Sequence, residues 1–178
     1  LSRMTARADA PSPSLNEWAV LGVLADGPRH GYDIAGELRP GSPIGDAWRL
    51  SRQLVYRALD RLTAMGFAEP RGREPGDAGP SRVVYGATRR GRSALRRWLD
   101  TPVDHLRDVR SGLLLKLLLL DRLALDRGPL VDAQRRAFAP VFARHAEAGG
   151  SDDVVALWRH HSAAAVADFL ASLERATR

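Results

Sequence analysis

No cysteine occurs among the 178 residues. That excludes a disulfide framework, zinc sites built on thiolates, a thiol nucleophile and thiol-based redox sensing. It also fits a reducing cytoplasm, which is where the protein is expected. Lysine is almost missing, since Lys116 is the only one, so nearly all of the +6 formal net charge and the pI of about 10.8 rest on arginine. The arginine fork matches phosphate oxygens, which favours a polyanionic partner. A GC-rich genome favours arginine codons too, so the bias alone decides little. A long apolar run is missing as well. The nearest approach, Leu113 to Leu120 (LLLKLLLL), is far short of the roughly 20 residues a spanning helix needs. It reads as a buried helix at a core or subunit interface, and no membrane partner is expected. Leu1 to Ser14 carries Pro11 and Pro13 but no signal-peptide apolar stretch, so 1–14 reads as a disordered leader with a natural start at Met4. The chain has no glycine-rich phosphate loop, no Gly-x-Ser-x-Gly elbow and no zinc-binding histidine pair on one helix face. His160 and His161 are adjacent, about 100° apart on a helix, and suit one ion poorly. No catalytic residue, metal or cofactor is expected, and an enzyme is not the reading.

What is present is a core-forming 44% of hydrophobic residues and one helix whose chemistry is sorted by side. In Ser51 to Met65 (SRQLVYRALDRLTAM), Leu54, Val55, Ala58, Leu59, Leu62 and Met65 fall within roughly 140° at about 100° per residue. The other side carries Arg52, Gln53, Tyr56, Arg57, Asp60 and Thr63. Arg and Gln match guanine and adenine edges in the DNA major groove, and they stand in the first two turns, where a recognition helix reads bases. An ordinary surface helix is the plainer alternative.

The flanking elements are read from caps and breakers. Ser14 and Glu17 form a capping box ahead of a helix that is apolar on nearly all sides, ended by Asp26-Gly27-Pro28. A short helix is expected over Gly31 to Leu38. Pro40, Gly41, Pro43 and Gly45 predict a loop over Arg39 to Ala47, and Gly66 ends the next helix. Strands are expected at Phe67 to Arg71 and Arg82 to Ala87, with Gly72 to Pro80 too rich in Gly and Pro for regular structure. Thr88 caps a helix through Leu99, closed by Pro102. The remainder reads as all helix: Asp108 to Leu125, then Leu130 to about Glu147 with a kink or split at Pro140, a break at Gly149-Gly150, and a last helix capped by Ser151. Along that last helix Val155, Trp158, Ala165, Phe169 and Leu173 recur at near-heptad spacing, which favours a dimer contact over intramolecular packing.

The expected fold is therefore mainly α with a small β-hairpin. A winged helix-turn-helix domain (15–100) precedes an all-helical C-terminal region (101–178) for dimerisation. Three motifs carry a family resemblance. Leu21 to Leu38 (LGVLADGPRHGYDIAGEL), the set Ser51, Leu54, Tyr56, Leu59, Leu62 and Gly66, and Tyr85-Gly86-Ala87-Thr88 with Gly91 and Leu95 resemble the PadR-family transcriptional regulators over about Leu15 to Leu99. The C-terminal half is similar only in general character to the longer subgroup of that family. The resemblance implies a cytoplasmic homodimeric repressor that binds an inverted-repeat operator in double-stranded DNA and is released by a small hydrophobic or aromatic effector.

On this reading Arg52, Gln53, Tyr56 and Arg57 face DNA, with Arg52 and Gln53 placed for base contacts. Tyr56 either donates its hydroxyl to a phosphate or folds back over the core edge. Arg71, Arg73 and Arg82, at or near the wing tip, position the protein on the backbone or are merely solvated. Tyr32 matches the motif at the start of the second helix, where backbone donors meet phosphate, while His30 reads as structural. Arg61 lies at the boundary of two faces and pairs with an acid. An aromatic effector would sit among Trp98, Trp158 and Phe169, although tryptophans are more often core. The alternative to a DNA-binding regulator is a winged helix that holds another protein.

Overall fold

The computed structural model describes residues 12–76, 79–146 and 152–175. The expected leader lies outside this range except for its last three residues, of which Ser14 caps the first helix. Ser14 and Glu17 cap α1 (Leu15–Asp26) reciprocally, the Ser14 N–H donating to Glu17 Oε2 at 2.6 Å. Every residue from Glu17 to Leu24 is buried, as a helix apolar on all sides must be. It is the central rod, packed by α2 (Gly31–Glu37), α4 (Arg52–Ala64), α5 (Arg89–Asp100) and α6 (Leu114–Arg122).

The segment expected as a loop from Arg39 to Ala47 contains a helix, α3 (Pro43–Ala47). Proline at the first helical position carries the right φ and has no N–H to leave unpaired. Ser42 supplies the cap, its Oγ accepting from Gly45 N at 3.0 Å. In α4 the expected stripe holds: Val55, Ala58, Leu59 and Leu62 are buried, and Leu54 and Met65 are half-buried. Ser51 Oγ accepts from Leu54 N at 3.4 Å, and Gly66 turns the chain at φ 69°.

The wing is longer than the sequence predicts. Strands β2 (Ala68–Gly76) and β3 (Gly79–Ala87) pair antiparallel as far as Gly76 opposite Gly79. The Gly/Pro-rich stretch does form a ladder, because register shifts at Pro70/Gly72 and Glu74/Gly76 absorb the residues that do not fit. A two-residue strand, β1 (Arg29–His30), adds to the far side of β3 and makes the order β1-β3-β2. Two residues are too few to show a period, so the sequence carried no sign of it.

Thr88 closes the wing and starts α5. Its hydroxyl donates to Gly66 C=O at 2.8 Å and accepts from Gly91 N at 3.0 Å. Beyond α5, the single helix expected from Asp108 to Leu125 is composite. A 3-10 turn (Leu106–Asp108) and a π turn (Val109–Leu113) lead into α6, which stops at Arg122 before Ala124 takes a positive φ of 52°. The Leu-rich run is buried as expected at Leu113, Leu115, Leu117, Leu119 and Leu120. Helix α7 (Gly128–His145) runs through Pro140 instead of splitting there. Pro140 lies on the exposed side, while buried Phe138 and half-buried Phe142 hold the helix on either side of it.

Helix α8 (Val154–Arg175) packs along α7. Asp153 caps it, with Oδ1 accepting from Val155 N at 2.9 Å. The Gly149-Gly150 break and the Ser151 cap lie outside the described residues. One hydrophobic core runs from Trp18 to Leu170. Buried Gln134 of α7 clasps Val103 by both backbone groups, at 2.7 and 2.9 Å. Arg122 at the end of α6 bridges Asp26 and Glu37, each at 3.0 Å, tying the C-terminal region to α1 and α2.

Candidate nucleic-acid interface

Three elements meet at the N-terminal end of α4. Helix α2 brings Tyr32, whose side chain is 53% exposed, and the wing brings Arg82. The Arg52 guanidinium lies 4.9 Å from the centroid of the Tyr32 ring and that of Arg82 lies 5.6 Å from it. A cation over an aromatic face is attracted by the ring quadrupole. One tyrosine thus gathers an arginine from the helix and an arginine from the wing. Tyr56 completes the group by lying flat against α2, where a Cβ on Gly31 would come 2.7 Å from its Cε1. Glycine at 31 is what lets the two helices approach here. The Tyr56 ring rests on α2, yet the side chain stays 42% exposed.

The result is an open cleft of about 500 Å³, walled by His30, Tyr32, Arg52, Tyr56, Arg82 and Tyr85 together with Gly31, Ser81 and Val83. Among the described residues no acid lines it. Glu74 on the wing contacts one wall of the cleft, its Oε2 3.0 Å from His30 Nε2. Gln53 and Arg57 are exposed, and among the described residues neither side chain makes a hydrogen bond or ion pair. They point outward from the first two turns with their donors available.

The other expected wing residues divide. Arg73 is exposed on β2 opposite Val83. Arg71 is not at the tip. It occupies the register shift between Pro70 and Gly72, lies against Gly86 and pairs with Glu69 at 2.8 Å while its side chain stays half exposed. Arg61 pairs with an acid as expected, its Nε 3.5 Å from Glu17 Oε1.

Trp98 faces inward, stacked on Trp18 at 5.0 Å and 13°. It borders a cavity of about 340 Å³ with Leu15, Thr101, Asp104 and Lys116, a cavity that neither Trp158 nor Phe169 lines. On α8, Val155 and Trp158 are 52% and 71% exposed and Ala165 is exposed, while Phe169 and Leu173 pack half-buried against the core. Among the described residues no group of three His, Cys, Asp or Glu side chains is placed to hold a metal ion. His160 Nδ1 instead lies 2.7 Å from His145 C=O. No helix among the described residues is long and apolar enough to cross a membrane.

One residue with unusual chemistry was missed. Lys116 is buried, donates to Thr101 C=O and lies 4.7 Å from the Trp98 ring centroid. Burial lowers its pKa from 10.5 to about 8, a shift that nearby Asp104 opposes. A lone lysine inside a leucine run was the available signal.

A helix pair, a third helix with a cationic and amide-bearing outer face, and an arginine-bearing β-ribbon define a winged helix-turn-helix, a DNA-binding class of fold. Residues 20–97 match the model of the transcriptional regulator PadR-like family. Comparison with curated protein sequences gives no match. Among solved structures, that of Bacillus subtilis PadR in complex with operator DNA is similar at 20% identity and a TM-score of 0.49, over 93% of this chain and 100% of that one. The same protein in complex with p-coumaric acid gives 21% and 0.42, over 92% and 96%. The structure of smu.1604c from Streptococcus mutans UA159 gives 14% and 0.43, over 89% and 98%. The likeness to the PadR-like family rests on the match at 20–97, and the fold on the elements described above.

Proposed function

We propose that the chain is a dimeric, sequence-specific DNA-binding repressor, with 15–100 as its DNA-binding domain and 101–178 as its dimerisation and effector-sensing region. The observation that carries the reading is the convergence of Arg52, Tyr32, Tyr56 and Arg82 on one acid-free cleft at the start of the recognition helix. Beside that cleft Arg52 and Gln53 read base edges. Tyr32, Tyr56, Arg57, Arg71, Arg73 and Arg82 hold phosphates and set the register. Val154, Val155 and Trp158 stand exposed at the start of α8, where a second copy would cover them, and two copies then read an inverted repeat. A small aromatic effector would act through the cavity beside Trp98, with Trp158 and Phe169 of α8 responding to it.

The test is fluorescence anisotropy on labelled duplex from the region upstream of the chain's own gene, against a shuffled duplex, over a salt series. A phosphate-neutralising protein loses affinity linearly in log salt, with a slope of about −0.9 per phosphate neutralised. The reading predicts such a slope together with preference for the upstream duplex. A salt-insensitive interaction would instead belong to a winged helix that holds a protein partner.

A further inference from the structure

Helix α5 has a face the cleft does not use. Arg89, Arg90, Arg92, Arg96 and Arg97 are all exposed, with Ser93 and Asp100 among them. At about 100° per residue these seven positions cover one continuous arc of roughly 160°. Gly91, Ala94, Leu95 and Leu99 take the opposite side and are buried. Five arginines against one aspartate on a single helix supply most of the +6 net charge of the chain. Among the described residues none of the five forms an ion pair.

This arrangement works against the helix that carries it. Like charges stand at i,i+3 (Arg89 and Arg92) and i,i+4 (Arg92 and Arg96), spacings that destabilise. Three arginines also stand in or next to the first turn, where the helix dipole favours acids. A merely solvated face would interleave acids, as α4 does with Asp60. The face also lacks any apolar or aromatic side chain, and such anchors dominate interfaces between proteins. Closely spaced guanidinium groups without carboxylate partners, only Arg92 donating to a backbone carbonyl and Arg90 lying over Phe67, match a phosphate backbone.

The position is separate from the cleft. The Arg90 guanidinium lies 5.3 Å from the Phe67 ring, just past the C-terminal end of α4. The thirteen residues of α4 put that end about 20 Å from Arg52, so Arg90 at the start of α5 lies well away from the cleft. We propose that the α5 face is a second, sequence-independent DNA-backbone contact that extends the footprint beyond the half-site read by α4 and the wing. The proposal rests on the DNA-binding reading above.

The test uses the full chain with substitutions R89Q/R96Q/R97Q, which spare Arg90 on Phe67 and Arg92 on Ala87 C=O. Salt dependence is measured on a random-sequence duplex of about 40 bp and compared with R52Q/R57Q and with the combined variant. The expected result is a salt slope shallower by roughly two to three for the α5 variant, losses that add in the combined variant, and a melting temperature no lower than the parent's. Parental slope in the α5 variant would overturn the second contact and leave the face to an acidic protein. A combined variant no weaker than R52Q/R57Q would overturn its independence. Failure of the parent chain to bind DNA at all would instead remove the reading on which the proposal stands.

Discussion

Tyr32 shows how one side chain organises the candidate site. By lying under both Arg52 and Arg82 it restricts two long side chains before any DNA arrives, which reduces the ordering cost of binding. Arg52 and Gln53 then differ from their neighbours in the kind of loss they should show. Arg52→Ala or Gln53→Ala is expected to relax discrimination against the wrong base by about 1–3 kcal/mol, read as the affinity ratio between operator and single-base variants. A uniform loss on all sequences would move that residue to the phosphate contacts. Lys116 supplies a second residue-scale test. Below pH 8 both folded and unfolded chains hold its proton, so the cost of burying the charge is present in full. Between about pH 8 and 10.5 the folded lysine has lost the proton while the unfolded one keeps it. The unfolded state then binds more protons, and stability rises with pH across that window. Lys116→Met should abolish this rise, as seen by urea midpoints of the two proteins at pH 7 and at intervals up to 10. At this scale the sequence showed which residues stand on the outer face of α4, because helical period alone decides that. It did not show that Arg71 would pair with Glu69, since that depends on the bulge that places the two together.

Among the elements, the wing and α5 share one joint. Thr88 caps α5 and also holds Gly66, the turn after the recognition helix, so a single hydroxyl ties the end of α4 to the start of α5. Thr88→Ala is expected to cost about 1–2 kcal/mol, the upper part of the range for an N-cap, with Thr88→Ser largely restoring it. Chemical denaturation of the three proteins checks this, and an Ala variant as stable as the parent would refute it. The caps at Ser14, Ser51 and Thr88 were legible because cap chemistry is local. Helix α3 was not, because the same Pro43 that starts a helix also signals a loop. The outer wing was hidden for a related reason. Gly and Pro disfavour a strand locally, and only the partner strand and its register shifts make one there.

Across the whole molecule, the N-terminal unit and the C-terminal helices share one core and are also joined by charge. Arg122 of α6 and Arg29 of β1 both contact Asp26 and Glu37, so a shift of α6 would be felt at α1 and α2, the latter carrying Tyr32. The apolar start of α8 is where a second copy is proposed to dock. With a side chain 71% exposed in the single chain, Trp158→Glu should leave the fold intact while shifting sedimentation equilibrium from dimer to monomer. A variant that sediments like the parent would place the dimer contact elsewhere. The near-heptad stripe that marked this helix proved divided in its surroundings. Phe169 and Leu173 pack against the core, whereas Val155 and Trp158 stay outside it. Periodicity says which residues share a side, not what covers them.

By itself, the sequence determined the order of the helices other than α3, the buried stripe of α4, its cationic outer face and the family resemblance over about Leu15 to Leu99. Each of these follows from periodicity, capping or turn chemistry within a few residues. Tertiary structure alone decided that Tyr32 lies under arginines of two other elements, that β1 joins the wing, that Lys116 sits over Trp98, and that Arg122 reaches Glu37 across 85 residues of chain. Those contacts form only when distant segments share one core, and no local pattern carries the distance between them.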